Sequence, residues 1–303
     1  MPSPAAAATA SPAPPTAPAD APPTAPGAAD AAPPTAPVPR RRRLALSFTG
    51  GKDCVLASHL CSLEALATAA ACGGGGAPVA VSAAAAALGA PHAGSDIVLL
   101  VTFGPADAET AFRAHPLPLI RAQAAAMGLP HVFCAVAAPY VESYRGHIAR
   151  LAREHGIEGL VTGDICDICE NFMPSACEGT GVALVRPLWG LERGALLGLV
   201  FDMGIQAVIS CVHVAAVGEA AAGALLGAAL TPALRASVLA PLAAAPPAAP
   251  GKRQVDEAGE WGEFHTACLA APLFRGRLAL PGATHARDGD YAFLVVPSIV
   301  SSQ

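Results

Sequence analysis

The sequence predicts an α/β protein built on a doubly wound parallel sheet, with a smaller second α/β domain towards the C-terminus. Three observations carry this expectation: apolar runs alternate with helical patterns four times between residues 44 and 163, a glycine pair follows the first run, and "DIVLLVTF" is apolar almost throughout. An unbroken apolar run of that length suits a strand covered on both faces, as in parallel sheets, whereas an exposed face would alternate with polar residues. Strand and helix in alternation imply right-handed crossovers, and such sheets take their ligands at the carboxyl ends of the strands.

The elements follow in order. "LALSF", Leu44 to Phe48, reads as the first strand, and a helical pattern runs from Cys54 to about Ala70. The second strand is Asp96 to Phe103, and the helix across "LPLIRAQAAAMG" stops at Gly128 with Pro130 just beyond, a common C-terminal signature. "HVFCAV" is the third strand. "YVESYRGHIARLAREHG" forms the next helix, stopped by Gly156, and "IEGLVTG" the fourth strand.

Composition divides the chain. Residues 1–39 hold thirteen of the 30 prolines, no Lys or Arg, and only Asp20 and Asp30 as charges, so this stretch reads as a disordered tail. Residues 40–190 form the first domain, with a low-complexity insertion at 72–95. Residues 191–280 form the smaller one, with an insertion at 239–253, and 281–303 read as a C-terminal tail. The run Arg40–Arg43 reads as a solvated charge cluster. No stretch reaches the ~18 to 20 apolar residues of a membrane span. The net charge of -5 argues against a dedicated nucleic-acid binder. Nine cysteines at scattered spacings fit free thiols, and hence a reducing, cytoplasmic setting. "CDIC", Cys166 to Cys169, is a single pair and reads as incidental thiols.

Between the first strand and its helix lies "TGGKDC", Thr49 to Cys54. A strand end, two glycines and a helix start bring backbone N–H groups and a positive helix end to one point, which is a cradle for phosphate. Walker A spacing is excluded, because it needs Gly where Leu46 stands and Ser or Thr where Asp53 stands. After the fourth strand Asp164 either meets a metal or substrate at the sheet edge or caps the next helix. In "DEAGEWGEFHT", Asp256 to Thr266, the glycines would let Glu260 and Glu263 turn into one site beside His265. Such a set suits a cationic substrate, a metal, or proton transfer, and a surface turn is the bland alternative. Trp189 and Trp261 read as packing residues by default, with adenine or substrate stacking as the alternative.

"SFTGGKDC" resembles the PP-loop, S-G-G-x-D-S, of the N-type ATP pyrophosphatases, with Thr49 for Ser and Cys54 for the final Ser. "HPLPLIRAQAAAMGLPH", "GIEGLVTGDI", "RPLWG" and "DEAGEWGEFHT" follow in the order found in the diphthine-ammonia ligase family, so the chain resembles that family from about Leu44 to about Leu280. The resemblance implies a Rossmann-like fold of the adenine nucleotide alpha hydrolase type. It implies ATP held by Ser47, Thr49, Gly50, Gly51, Lys52, Asp53, Cys54 and Gly163, with Mg2+ on Asp53. Lys52, Asp53, Asp164, Glu260, Glu263 and His265 would carry the chemistry. The substrates implied are diphthine-bearing elongation factor 2 and ammonium. Two rivals stay open: a PP-loop enzyme acting on another carboxylate or on tRNA sulfur, and a nucleotide-binding module without catalysis. The late motif is expected in the second domain, which would fold over the cleft and handle the acceptor substrate and not ATP.

Overall fold

The computed structural model describes residues 40–71, 81–107, 112–247 and 253–302. The expected tail 1–39 lies outside them. Its first strand, β1 (Arg42–Ser47), is the middle of a five-stranded parallel sheet ordered β3-β2-β1-β4-β5. The others are β2 (Ser95–Gly104), β3 (His131–Ala135), β4 (Gly159–Val161) and β5 (Ala183–Val185). The chain thus builds outward from β1 to β3 and then crosses to β4 on the other side. That reversal opens a crevice between the carboxyl ends of β1 and β4.

Side-chain alternation along β1 separates two cores. Leu44 and Leu46 point into one, with Phe48 just beyond the strand, and Ala45 points into the other, each of the four 0% exposed. Helices α1 (Lys52–Leu60), α2 (Leu63–Ala71), α3 (Ala83–Gly89) and α4 (Leu117–Met127) supply side chains to the first core, and α5 (Tyr140–His155) and α6 (Phe172–Cys177) to the second. The expected helix from Cys54 to about Ala70 is broken at Cys61–Ser62. Among the described residues of the first expected insertion, α3 is a capped helix, with the Ser82 hydroxyl accepting from Ala85 N–H at 3.2 Å. The Arg40–Arg43 cluster is paired and not merely solvated: Arg40 meets Glu158 at 2.6 Å, and Arg41 meets both Asp96 and Glu64.

After α7 (Arg193–Asp202) comes a second, antiparallel sheet of order β7-β6-β10-β9. It contains β6 (Gln206–His213), β7 (Phe264–Ala270), β9 (Thr284–Asp288) and β10 (Tyr291–Val295). Strands β8 (Arg277–Ala279) and β11 (Val300–Ser302) pair separately. Residues 281–303, expected as a tail, therefore supply β9, β10 and β11. Strands β9 and β11 lack the apolar run that makes a buried strand visible, whereas β10, "YAFLV", carries one that the expected tail passed over. Within the second expected insertion, Leu239 is fully buried and Ala240–Ala244 is helical. Residues 40–303 form one compact unit, and β7 hydrogen-bonds directly to the loop after β1. No helix among the described residues is long and apolar enough to cross a membrane.

One buried histidine ties α1 in place. His59 Nδ1 lies 2.7 Å from Val55 C=O and its Nε2 takes Leu273 N–H at 3.2 Å, so the neutral ring bridges a donor and an acceptor. Burial pushes its pKa down to about 4. The unfolded chain therefore binds a proton here before the folded one does. Stability should fall as pH drops from about 6.5 towards 4, at roughly 1.4 kcal/mol per pH unit for this group. Melting temperature against pH checks this, and a His59→Gln chain should show a shallower fall.

Candidate active site

The loop from Ser47 to Lys52 lies at the β1–β4 crevice and opens α1. Gly50 has φ +76°, a conformation that favours glycine, and its carbonyl is held by Cys268 N–H and by Gln123 Nε2, both at 2.9 Å. Lys52 N–H donates to Thr266 Oγ1 at 3.0 Å, and helical bonding begins with Val55 N–H on Gly51 C=O. The amides of the first turn between these points have no acceptor in the helical ladder, and their residues, Asp53 and Cys54, line a cavity. Gly163, just beyond β4, stands so close that a Cβ there would lie 2.8 Å from Cys54 N and 3.0 Å from Asp53 Cβ. Glycine at 163 is what lets the β4 end close over the α1 start.

A cavity of about 520 Å³ occupies this corner. Ser47, Thr49, Gly51, Lys52, Asp53 and Cys54 line one side, with Gly163 and Asp164 from the β4 end, and Glu260 and His265 complete it. Gly50 is buried behind its neighbours. Lys52, only 4% exposed, donates from Nζ to Asp53 Oδ2 at 2.9 Å and to Ala258 C=O at 2.5 Å. Asp53 Oδ1 is buried and has no hydrogen-bond partner. That is an oxygen awaiting a donor or a cation. Among the described residues no group of three or more His, Cys, Asp and Glu is arranged to hold a metal by itself. A hard cation at Asp53 would therefore share its coordination with ligand oxygens, as Mg2+ commonly does with phosphates.

The other carboxylates differ sharply. Asp164 has its pKa raised by burial, partly offset by the nearby Thr162 side chain and by the charge of Arg186. It faces the cavity and does not serve as a helix cap. Burial, and then the charge of Asp53, push Glu260 up to about 7. Its Oε1 lies 3.9 Å from Cys166 Sγ, which Arg193 approaches at 3.7 Å while forming an ion pair with Asp256 at 2.6 Å. Glu263 departs from expectation. It is 3% exposed and turns back into its own loop, where Oε1 accepts Asp256 N–H at 2.9 Å and Oε2 accepts Trp261 N–H at 3.0 Å. The two glutamates of the late motif thus split, one facing the cavity and one bracing the turn that presents it.

His265 lies at the start of β7, with its pKa lowered by burial and by nearby Lys52. Against it, edge-on at 5.0 Å between ring centres, stands His115, which burial pushes down to about 3. His115 lines the same cavity and was not singled out by the sequence. Its place just before "PLPLIRAQ", at the head of α4, was the available signal. Cys54 Sγ sits inside the loop, 3.2 Å from Gly51 C=O and close to the amides of Thr49 and Gly50. Burial pushes it up to about 11, so it is a neutral thiol.

A second cavity, of about 690 Å³, adjoins the first through Ser47, Thr162, Asp164 and Ile168. Phe103, Tyr140, Tyr144, Phe172 and Trp189 give it an aromatic lining. Trp189 and Trp261 are not packing residues: they are 42% and 39% exposed, with the Arg186 and Arg253 guanidinium groups over their rings at 3.7 and 3.5 Å. Of the thiols, Cys169 is exposed and Cys166 half-buried, and the eight described cysteines are all free. Taken together, the corner offers backbone donors, a buried cation, an unsatisfied carboxylate oxygen and a carboxyl group that titrates near neutrality. It joins a flat-walled aromatic chamber.

No protein-family model and no curated protein matches the chain. Among solved structures it is similar to the crystal structure of a predicted subunit of tRNA methyltransferase from Methanocaldococcus jannaschii. The identity is 15%, the TM-score 0.31, and the match covers 55% of this chain and 78% of that one. At that TM-score the likeness carries no argument about function.

Proposed function

We propose that the chain is an ATP-dependent amide ligase of the diphthine-ammonia ligase kind. The supporting observation is the conjunction at one corner of a strand-to-helix amide loop, buried Lys52, and the partnerless Asp53 oxygen. The adenosine would lie in the aromatic chamber, and the triphosphate along Thr49, Gly51 and the first turn of α1. Mg2+ fits Asp53 as a hard oxygen ligand and would neutralise phosphate charge. Lys52 would stabilise negative charge as the α–β phosphate bond breaks. A substrate carboxylate oxygen attacks the α-phosphorus, pyrophosphate leaves, and an acyl-adenylate remains. Ammonia then attacks the acyl carbon, AMP departs, and Glu260 accepts the proton that the new amide sheds. The carboxylate of diphthine on elongation factor 2 is the acceptor we infer, with ammonium, which releases one proton to solvent before it attacks as ammonia, as nitrogen source.

Two measurements test this. Turnover must yield AMP and pyrophosphate, and cells lacking the chain must accumulate elongation factor 2 carrying the acid in place of the amide, as read by intact mass. Production of ADP and phosphate would overturn the reaction type. Normal amidation in the deletion strain would overturn the acceptor and leave the adenylation chemistry standing.

Cys54 supplies a further expectation. Its thiol is a weak donor among the very amides that would hold phosphate. Cys54→Ser should keep the fold and tighten ATP binding by roughly five-fold, the scale of one modest hydrogen bond. Calorimetry on the two chains checks the direction.

A further inference from the structure

Gln123 lies in α4, 0% exposed, at a position that leucine would fill more cheaply if packing were its only task. Its side-chain amide donates twice: to Gly50 C=O at 2.9 Å and to Cys268 C=O at 2.8 Å. Cys268 N–H reaches the same Gly50 carbonyl at 2.9 Å. Two donors from α4 and β7 therefore hold one carbonyl of the loop. A trans peptide is planar, with its C=O and N–H directed oppositely. Pulling the Gly50 carbonyl towards α4 and β7 turns the Gly51 N–H the other way, and Gly51 lines the cavity. Gly50 and Gln123 also require one another. A Cβ on Gly50 would stand 1.8 Å from Gln123 Oε1, an atom that has no hydrogen-bond partner.

We propose that Gln123 is a positioning residue that orients the Gly50–Gly51 peptide towards phosphate oxygens, and so controls affinity for the phosphate part of the ligand without affecting the nucleoside part. This rests on the nucleotide reading above. Gln123 touches no reacting atom. It acts through the loop, and a purely structural role would weaken all ligands alike.

Calorimetry on the full chain separates the cases, with Mg-ATP, Mg-pyrophosphate and adenosine as probes and Gln123→Met as the variant of similar length without donors. Affinity for ATP and pyrophosphate should fall roughly ten-fold or more, the range of a lost charge-assisted hydrogen bond, while adenosine binds as before. An equal fall for adenosine, or no fall for pyrophosphate, would overturn the proposal. Should Gln123→Met fail to fold, the wild-type chain decides: on titration with pyrophosphate the Gly51 amide resonance must shift strongly, and a Gly51 resonance that stays put overturns the assignment. A wild-type chain that binds neither ATP nor pyrophosphate removes the nucleotide reading and this inference together. One that binds both, with Gln123→Met binding them equally well, removes only this inference.

Discussion

Asp53→Asn should slow pyrophosphate release by at least about 100-fold while leaving the fold in place, the scale expected when a charge-stabilising group is lost from a phosphoryl site. The isosteric amide is the right substitution because of Lys52. That ammonium is buried and bonded to Asp53 Oδ2 and Ala258 C=O, so Asp53→Ala would strip a buried cation of its partner and mix a folding defect into the result. Asparagine keeps an oxygen for Lys52 and removes the charge. Steady-state pyrophosphate release over a magnesium series, beside a thermal melt, provides the test. Full turnover with unchanged magnesium dependence would remove Asp53 from the chemistry.

The second large effect separates the two glutamates. Glu263→Ala should lower the melting temperature and abolish turnover together, because Asp256 N–H and Trp261 N–H both lose their acceptor, at about 1–3 kcal/mol for each buried group. Once the turn is loosened, Ala258 no longer presents its carbonyl to Lys52. Glu260→Gln should behave differently. Its carboxyl faces the cavity and bonds no backbone amide among the described residues, so stability should hold while amide formation fails. With free ammonia held constant across the series, a base titrating at about 7 gives a rate that rises with pH through neutrality, and that limb should vanish from whatever activity Glu260→Gln retains. If Glu263→Ala melts like the wild type, its carboxylate is not the brace described here. If Glu260→Gln keeps the neutral limb, another group carries the proton.

Much of the first sheet was legible because its signals are local. Apolar runs covered on both faces, helix stops at Gly128 and Gly156, and a glycine pair between strand and helix announce themselves within a few residues, and the strands they mark are β1 to β4. Three-residue β5 and the exposed strands β9 and β11 carry no such periodicity; β10, "YAFLV", does carry an apolar run, and reading 281–303 as a tail missed it. The cavity residues that lie in glycine-rich turns, Lys52, Asp53, Asp164 and Glu260, were also visible, since a charge beside a flexible turn is conspicuous.

Only the tertiary structure decided what each of these groups meets. Spacing treats Glu260 and Glu263 alike, but their environments are opposite because β7 leaves its preceding turn folded back on Glu263. The sequence suggested a division of labour between the late motif and the Gly50–Gly51 loop; pairing of Cys268 with Gly50 and of Thr266 with Lys52 joins the two segments directly, across more than two hundred residues, into one corner. For the same reason, Gln123 and His115 were not singled out. A buried amide in an alanine-rich helix and a histidine before a proline acquire meaning only from the carbonyl and the ring they meet. Local patterns determine where a chain turns and which faces it buries, while the partners of a buried polar atom are chosen by contacts between distant segments that no short window of sequence contains.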